Sequence, residues 1–347
     1  MSAAPRRGAL VGFGSVAANG HVPIWQQRSD FALVAVCDPD PARRALAVQK
    51  LPGIATHADL TALLAHEHPD FVDVATPPAY HAAAVVAAAR AGAHVLCEKP
   101  LTTDLGEFIA IRDAARHTGA VVHTVHNWKH SEAFRTATTL LARGAIGPLR
   151  HIAFETERSG HSVTIGENWR ARAAIAGGGI LVDHGWHAFY LMLALANEPP
   201  RRVRAATDKR RYRDADVEDT VECAVEFPSL TGEIRLTWAG TRRRTRWRFV
   251  GDAGEVIIDD DVLRVRGSGG AHEQRLQSAL SAGSHHPEWF AGVVDDFRRE
   301  LDEPALRGTN LAEAECCLLL LHQAYASAAQ GSRWLDVPAG ADACRGR

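Results

Sequence analysis

A glycine-rich turn near the start of the chain constrains its fold more than any other feature. An apolar run leads directly into the sequence Gly-Phe-Gly-Ser-Val-Ala at residues 12–17, and a helical pattern follows. Glycine at the first position permits a tight turn, and glycine at the third position lets a ligand approach the backbone. The alanine allows the helix to pack closely on the strand. The turn therefore predicts the first βαβ unit of a dinucleotide-binding fold.

The sequence up to Val125 alternates short apolar runs with longer helical patterns. This alternation is typical of repeated βαβ units and a parallel sheet. The runs are mostly continuous, as expected for strands covered by helices on both faces. Gly92 and Gly119 follow two predicted helices, where a left-handed cap is needed. The predicted strands are Ala9–Phe13, Phe31–Cys37, Phe71–Ala75, Ala93–Leu96 and Val121–Val125.

The pattern changes after Asn127. Period-two alternation in several later runs indicates an antiparallel or mixed sheet with one more exposed face. The predicted strands are Leu149–Glu157, Val203–Thr207, Val221–Phe227, Gly232–Trp238, Trp247–Val250, Glu255–Ile258 and Leu263–Val265, with a loop at 267–270. The predicted helices are Ser131–Arg143, Ile180–Ala196, Pro287–Leu301 and Leu311–Gln330. We expect an α/β protein with a Rossmann domain (doubly wound parallel sheet, residues 1–127) and a C-terminal α/β domain with a large open mixed or antiparallel sheet (residues 128–347).

The composition of the chain indicates which classes of binding partner to expect. With 347 residues, 46% of them hydrophobic, it is too long for one compact core. A formal net charge of -2 gives no global attraction to nucleic acid or to an anionic membrane, which leaves a small molecule as the expected partner. No apolar run is long enough to cross a bilayer. The six cysteines show no zinc-like spacing, so we expect reduced thiols, no metal site and a soluble cytoplasmic protein.

The second predicted strand ends in Asp38, where an acid can accept hydrogen bonds from the adenosine ribose. A 2'-phosphate beside this carboxylate would be repelled by roughly 1 to 4 kcal/mol at contact distance, so NAD is favoured over NADP. The alternative is that Asp38 only caps its own turn. Arg43 and Arg44, close by in the sequence, soften the preference for NAD.

Two later strand ends carry rigid and polar residues, Thr76-Pro77-Pro78 followed by His81, and Glu98-Lys99-Pro100. Carboxyl ends of parallel strands border the crevice where doubly wound sheets bind ligands. His81 is equally well interpreted as a local partner at a helix start. The residues expected to bind the cofactor are Gly12, Phe13, Gly14, Ser15, Val16, Asp38, Thr76, Pro77, Pro78, His81, Glu98 and Lys99.

Two further motifs lie later in the chain: Trp169-Arg170, and Gly177-Gly178-Gly179 followed by Asp183 and His187. Together with the motifs above, they resemble those of the Gfo/Idh/MocA oxidoreductases, a family named for glucose-fructose oxidoreductase and inositol dehydrogenase. The resemblance covers nearly the whole chain. It implies a second domain whose open sheet forms homodimer or homotetramer contacts, and catalytic roles for Lys99, Asp183 and His187. The residues expected to contact substrate are Lys99, Asn127, Lys129, Trp169, Arg170, Asp183 and His187.

The chemistry of these side chains agrees with the resemblance. Asp183 and His187 are four residues apart, so on an α-helix they share one face. A histidine polarised by a carboxylate can take the hydroxyl proton while hydride leaves the same carbon. Lys99 could stabilise the developing alkoxide. An acid and an imidazole early in a helix can also be only a cap and a semi-buried ring, but the set as a whole favours catalysis.

We therefore expect an NAD-dependent dehydrogenase or reductase acting on CH–OH groups of a sugar, cyclitol or related polyol. One alternative is an enzyme that recycles tightly bound NAD in a net non-redox step, such as glycosidic cleavage or epimerisation. Another is a non-catalytic NAD(H) sensor, which would not need Lys99, Asp183 and His187.

The run Arg242–Arg248 places four arginines on one face of a strand. We favour a solvated or intersubunit sheet face over a site for a phosphate or carboxylate, because charge runs are generally solvated. The acids expected to balance it are Glu218, Glu222, Glu226 and Glu233.

Overall fold

The computed structural model describes residues 4–160, 169–283 and 285–338. These residues divide into two compact units. The first consists of 4–127 and 285–311, and the second of 128–160, 169–283 and 312–338. A C-terminal segment therefore belongs with the N-terminal unit, which differs from the continuous division expected at residue 127.

The first unit is built on a sheet of six strands in which all neighbours are parallel. The strands are Arg6–Val11 (β1), Phe31–Cys37 (β2), Ala55–His57 (β3), Phe71–Val74 (β4), His94–Cys97 (β5) and Val122–Thr124 (β6). The order β3-β2-β1-β4-β5-β6 reverses between β1 and β4, which creates the crevice that binds ligands in doubly wound sheets. The predicted parallel sheet is confirmed. Strand β3 escaped prediction because its three residues carry no apolar run.

Within the described ranges, ten α-helices connect or follow the strands. They are Val22–Trp25 (α1), Pro41–Lys50 (α2), Leu60–Glu67 (α3), His81–Arg90 (α4), Leu105–Thr118 (α5), Glu132–Ala142 (α6), Ala173–Ala176 (α7), Trp186–Ala196 (α8), Pro287–Asp302 (α9) and Thr309–Ala329 (α10). Side chains of Asp40, Asp59, Asp104 and Ser131 accept backbone N–H groups at the starts of α2, α3, α5 and α6, as N-caps do. Gly119 ends α5 with a left-handed backbone, as predicted.

Helix α9 lies in the first unit although most of the second unit precedes it in sequence. Its apolar residues Phe290, Val293 and Phe297 are buried in one cluster with Phe31 and Phe71 of the parallel sheet. The amphipathic pattern of a helix shows that it has a buried face but not what covers that face. A single division at residue 127 therefore could not assign this later helix to the first unit.

The described residues of the second unit contain nine strands, and they confirm the predicted large mixed sheet. Its strands are Leu149–Glu157 (β7), Arg202–Asp208 (β8), Thr220–Glu226 (β9), Thr231–Thr237 (β10), Arg244–Gly251 (β11), Gly254–Asp259 (β12), Val262–Gly267 (β13), Gly270–Arg275 (β14) and Leu335–Asp336 (β15). The order is β14-β13-β12-β11-β7-β10-β9-β8-β15. The β7–β10 pair is parallel and the other pairs are antiparallel. The predicted loop at 267–270 is the tight turn into β14, a strand without apolar alternation because it is exposed.

The cysteines correct one expectation. Cys37, Cys97, Cys223 and Cys317 are buried free thiols, but Cys316 is disulfide-bonded. The prediction that all six are reduced is wrong at this position, because spacing along the chain does not reveal cysteines that folding brings together. Among the described residues, no helix has the length and apolar character needed to cross a membrane.

Candidate active site

The glycine turn after β1 has the conformation that its sequence predicts. Gly12 has a φ of +88°, and a methyl group there would lie 2.9 Å from the carbonyl oxygen of Ala75. At Gly14 the nearest atom to such a methyl is 3.6 Å away, so packing within the unit does not require glycine there. The side chain of Phe13 is buried in the core, so only its backbone is available to a ligand. This turn can accept a phosphate group at the start of a helix.

Asp38 lies directly after β2 and is bound to that turn. One carboxylate oxygen accepts the N–H of Phe13 at 2.7 Å, and the other accepts the N–H of Asp40 at 2.9 Å. The guanidinium of Arg44 donates to the Asp38 carbonyl at 2.8 Å, and that of Arg43 donates to the Phe13 carbonyl at 3.3 Å. Asp38 therefore holds the two loops together, and it places a negative charge at the edge of the crevice.

Two loops at the ends of β4 and β5 are joined by His81. Its ring nitrogens lie 2.7 Å from the carbonyl oxygens of Thr76 and Pro100, and the side chain is fully buried. Both nitrogens thus face backbone carbonyls, so His81 links the two loops and has no ring N–H left to offer a cofactor. The hydroxyl of Thr76 is buried without a hydrogen-bond partner in the described part of the chain.

The Glu98-Lys99-Pro100 loop follows β5, and the Lys99–Pro100 peptide bond is cis. One oxygen of Glu98 accepts the backbone N–H of Lys99 at 3.0 Å, and the other lies 3.2 Å from Nε2 of His21. Burial opposes the charge of Glu98, but His21 and Lys99 outweigh it and lower the pKa of this carboxyl. The loop therefore delivers Lys99 at the carboxyl edge of the parallel sheet.

In the second unit, two glycines of the Gly-Gly-Gly segment permit close packing. A methyl group at Gly179 would lie 1.8 Å from the carbonyl oxygen of Glu218, and one at Gly178 would lie 2.1 Å from the hydroxyl of Tyr325. The Glu218 carboxylate accepts the N–H groups of Gly179 and Leu181 at 3.0 Å, and Tyr325 donates to it. Burial raises the pKa of both Glu218 and Tyr325. This cap fixes the start of the helical segment that carries the predicted catalytic residues.

That segment is not a regular α-helix. Residues Leu181–Gly185 form a π-helical turn, and α8 begins only at Trp186. A π turn has more residues than an α turn, so four-residue spacing no longer places Asp183 and His187 directly above one another. Oδ2 of Asp183 lies 3.8 Å from Nε2 of His184. Single π turns inside helices frequently occur at functional sites.

His187 is held by aromatic residues. Its Nδ1 lies 2.7 Å from the hydroxyl of Tyr190, which also accepts the backbone N–H of Trp128 at 3.0 Å. The imidazole stacks on the Trp128 ring with centroids 4.8 Å apart. We expected a carboxylate to polarise His187, but the partner of Nδ1 is this phenol.

The other predicted substrate contacts have diverse surroundings. Lys129 forms an ion pair with Glu313, with Nζ 2.6 Å from Oε2. The side-chain oxygen of Asn127 and two guanidinium nitrogens of Arg170 are buried and lack hydrogen-bond partners in the described ranges. Arg170 lies over the ring of Trp169, with its central carbon 4.3 Å from the ring centroid.

Most of the arginine run lies on β11, which begins at Arg244, and the run is balanced by acids, as expected for a sheet face. Of the acids that we predicted there, Glu233 lines the same face as Arg246 and Arg248. The observed pairs are Arg242–Glu157, Arg244–Asp259, Arg246–Glu155 and Arg248–Glu255. Glu218 instead caps the helical segment, and Glu226 pairs with Arg202. Cross-strand register decides such pairing, and it cannot be read from one strand.

His21 and Asp73 escaped prediction, and Glu218 was expected beside the arginine run and not at the start of the helical segment. Asp73 had a recognisable signal, because it is an acid inside an otherwise apolar buried strand. His21 had none, since a single histidine in a helix is most often structural. In the described part of the chain, no group of three or more His, Cys, Asp or Glu side chains is arranged to hold a metal ion.

A parallel sheet with this strand order, a glycine turn after β1 and an acid after β2 defines a dinucleotide-binding protein of the Rossmann class. A comparison with family models is more specific. The oxidoreductase family with an NAD-binding Rossmann fold, GFO_IDH_MocA, matches residues 6–126, and the GFO/IDH/MocA C-terminal domain matches residues 134–257. The chain belongs to this family and is an NAD-binding oxidoreductase.

Individual relatives agree with the family. The chain is 28% identical to a putative UDP-kanosamine synthase oxidoreductase subunit of Amycolatopsis mediterranei, over 96% of this chain and 99% of the relative. It is 32% identical to D-apiose dehydrogenase of Paraburkholderia graminis, over 75% of this chain and 67% of that relative. In fold it is similar to an oxidoreductase from Agrobacterium radiobacter that was crystallised with NAD+, L-tartaric acid and magnesium. The TM-score is 0.85 and the identity is 23%, over 96% of this chain and 98% of the other.

Proposed function

We propose that this protein is an NAD-dependent dehydrogenase or reductase that exchanges hydride with a hydroxyl-bearing carbon of a sugar, cyclitol or related polyol. The observation that carries the proposal is the position of Lys99. It follows β5 at the same sheet edge as the glycine turn after β1, with β4 between these two strands. The name of the D-apiose dehydrogenase supports a sugar-like substrate.

The first unit offers groups that fit NAD. The backbone of the turn at Gly12 and Gly14 would hold the pyrophosphate, and Asp38 would face the ribose. The buried Thr76 hydroxyl, without a partner among the described residues, would bind a polar group of the cofactor. When bound, NAD accepts or supplies the hydride. The protein then has to place the reacting carbon and to move one proton.

We assign that proton to His187 and Lys99, with Asp183 as a further charged group of the site. In reduction, the imidazolium of His187 transfers its Nε2 proton to the carbonyl oxygen and becomes a neutral ring, whose Nδ1–H donates to the Tyr190 hydroxyl oxygen. In oxidation, Nε2 accepts the proton of the substrate hydroxyl. The ammonium of Lys99 stabilises the negative charge that develops on the same oxygen.

The first test follows NADH absorbance while the purified protein is incubated with NAD and a panel of polyols. Lys99→Ala and His187→Ala should each reduce kcat about 10²- to 10⁴-fold, because general acid–base groups contribute that much. Lys50→Ala and His117→Ala, at exposed positions of α2 and α5, are matched controls and should keep the full rate. Unchanged turnover in both Lys99→Ala and His187→Ala would refute the assigned roles.

We further infer that residues 1–127, with which 285–311 form one compact unit, serve the cofactor, and that the rest of residues 128–347 serves substrate binding and assembly. The proposed assembly is a cytoplasmic homodimer or homotetramer formed through the open face of the second sheet. Residues of that face alternate with buried ones along β7, β10, β11 and β12. The face carries opposite charges, such as Glu155, Arg235, Arg246 and Arg248, around the less polar Ala153 and Ile257. A self-complementary pattern of this kind suits a two-fold interface.

A further inference from the structure

A buried charged cluster lies beneath the Glu98-Lys99-Pro100 loop, and the roles assigned above do not use it. Nδ1 of His21 lies 3.0 and 3.1 Å from the two oxygens of Asp73, and Nε2 lies 3.2 Å from Oε1 of Glu98. His21 is 2% exposed and Asp73 is 0% exposed. Because ionised carboxylates can only accept hydrogen bonds, this geometry needs a hydrogen on each ring nitrogen. The ring is therefore an imidazolium between two carboxylates.

The surroundings hold the cluster in one arrangement. The ring of His21 stacks on Phe290 of α9, with centroids 3.8 Å apart and an angle of 6° between the planes. Asp73 also accepts the indole N–H of Trp25 at 2.7 Å, so its position is fixed by two donors. His21 is the last residue of the π-helical turn Ala17–His21, which follows the glycine turn.

The cluster continues to the backbone of Lys99. The second oxygen of Glu98 accepts the Lys99 N–H at 3.0 Å. An unbroken chain of hydrogen bonds thus runs from Asp73 through His21 and Glu98 to the peptide that delivers the lysine. On the other side, His81 contacts the carbonyl of Pro100 at 2.7 Å. The three-residue loop is consequently held from both ends.

We propose that His21 is a positioning residue for Lys99, whose imidazolium holds Glu98 in place and thereby fixes the loop that presents the lysine to substrate. The proposal rests on the role of Lys99 proposed above. Asp73 keeps His21 charged and oriented in a site that water does not reach. The helix that starts at the nucleotide turn is thereby coupled to the catalytic loop after β5.

The pKa of His21 sets the pH range in which its imidazole is charged. Burial opposes it, but Asp73 and Glu98 outweigh burial and raise the pKa of His21 to about 9. A raised pKa in the folded state means that the pair stabilises the fold fully below pH 6.5 and loses this effect as pH rises through about 9. The groups facing His21 are Asp73 and Glu98, and Lys99 acts on it through Glu98.

The kinetic test compares His21→Gln and Asp73→Asn with the unmodified protein from neutral pH to pH 10. His21→Gln should reduce kcat about 10²-fold, as expected for a small displacement of a reacting group, with the KM for NAD nearly unchanged. Asp73→Asn should shift the alkaline fall of kcat to lower pH, because His21 loses its main charge partner. The control is His57→Gln, which breaks a histidine–carboxylate pair with Glu67 elsewhere in the unit and should leave the profile unchanged.

A second measurement does not need activity or a stable variant. The ¹⁵N signals of the His21 imidazole in the unmodified protein should be those of the charged ring at pH 7.5 and should titrate near pH 9. A neutral ring at pH 7.5 would overturn the proposal. The proposal would also be overturned if a folded His21→Gln protein kept the full kcat while Lys99→Ala was inactive. The proposed function would stand in that case. Activity retained by Lys99→Ala, with His21 charged, would instead reject the role of Lys99.

Discussion

At the scale of single residues, Asp38 combines a structural bond with an electrostatic effect. Its carboxylate accepts the N–H of Phe13 within the nucleotide turn, and its charge would repel a 2'-phosphate. Asp38→Asn keeps an acceptor for that N–H but removes the charge. We expect the ratio of kcat/KM for NAD to that for NADP to fall at least about fivefold, since repulsion of roughly 1 kcal/mol or more is lost. Steady-state kinetics with both cofactors measures the ratio.

Asp40→Asn is the matched control for this prediction. Asp40 is exposed, lies two residues further on, and caps α2 through the N–H of Ala42 at 2.8 Å. Its substitution should leave the cofactor ratio unchanged. If Asp38→Asn also leaves the ratio unchanged, the carboxylate acts only as a turn residue, and the Arg43 and Arg44 guanidinium groups offset its charge.

At the scale of elements, the Gly-Gly-Gly segment allows the helical segment that contains Asp183 to pack against the loop before β9. A methyl group at Gly179 would lie 1.8 Å from the backbone oxygen of Glu218, which a side-chain rotation cannot relieve. We expect Gly179→Ala to reduce the free energy of unfolding by about 1 to 3 kcal/mol or more, as overpacking does. Urea denaturation followed by tryptophan fluorescence measures this loss.

Gly269→Ala provides the comparison, because a methyl group there meets nothing within 4 Å and the backbone is not left-handed. Its unfolding midpoint should match that of the unmodified protein. Equal midpoints for both variants would show that the contact at Gly179 relaxes without cost. The capping role of Glu218 would then also need to be reconsidered.

At the scale of the whole molecule, the open face of the second sheet governs assembly in our proposal. Sedimentation velocity at micromolar concentration should show a dimer or tetramer. Arg235→Glu combined with Arg248→Glu should convert it to a monomer, because the reversed charges repel one another across a two-fold interface. Arg90→Glu with Arg116→Glu, on exposed positions of α4 and α5, should leave the assembly intact. A monomeric unmodified protein would disprove this arrangement.

Local patterns in the sequence determined much of the architecture. The glycine turn, the continuous apolar runs and the alternating runs after Asn127 predicted both sheets, and Phe31–Cys37 and Leu149–Glu157 match their strands residue for residue. These features depend on neighbours along the chain, since strand and helix periodicity and turn conformations act within a few residues. The same local signals identified the loop that carries Lys99.

Only the tertiary structure decided which distant groups meet. His21 contacts Asp73 and Glu98, which are 52 and 77 residues away in sequence. Helix α9 packs on the parallel sheet, and the phenol of Tyr190 is the partner of Nδ1 of His187 where a carboxylate was expected. Periodicity shows that a side chain is buried but not what it is buried against. The choice of partner is set by packing and desolvation across the fold, because a buried charge or donor is stable only beside a complementary group.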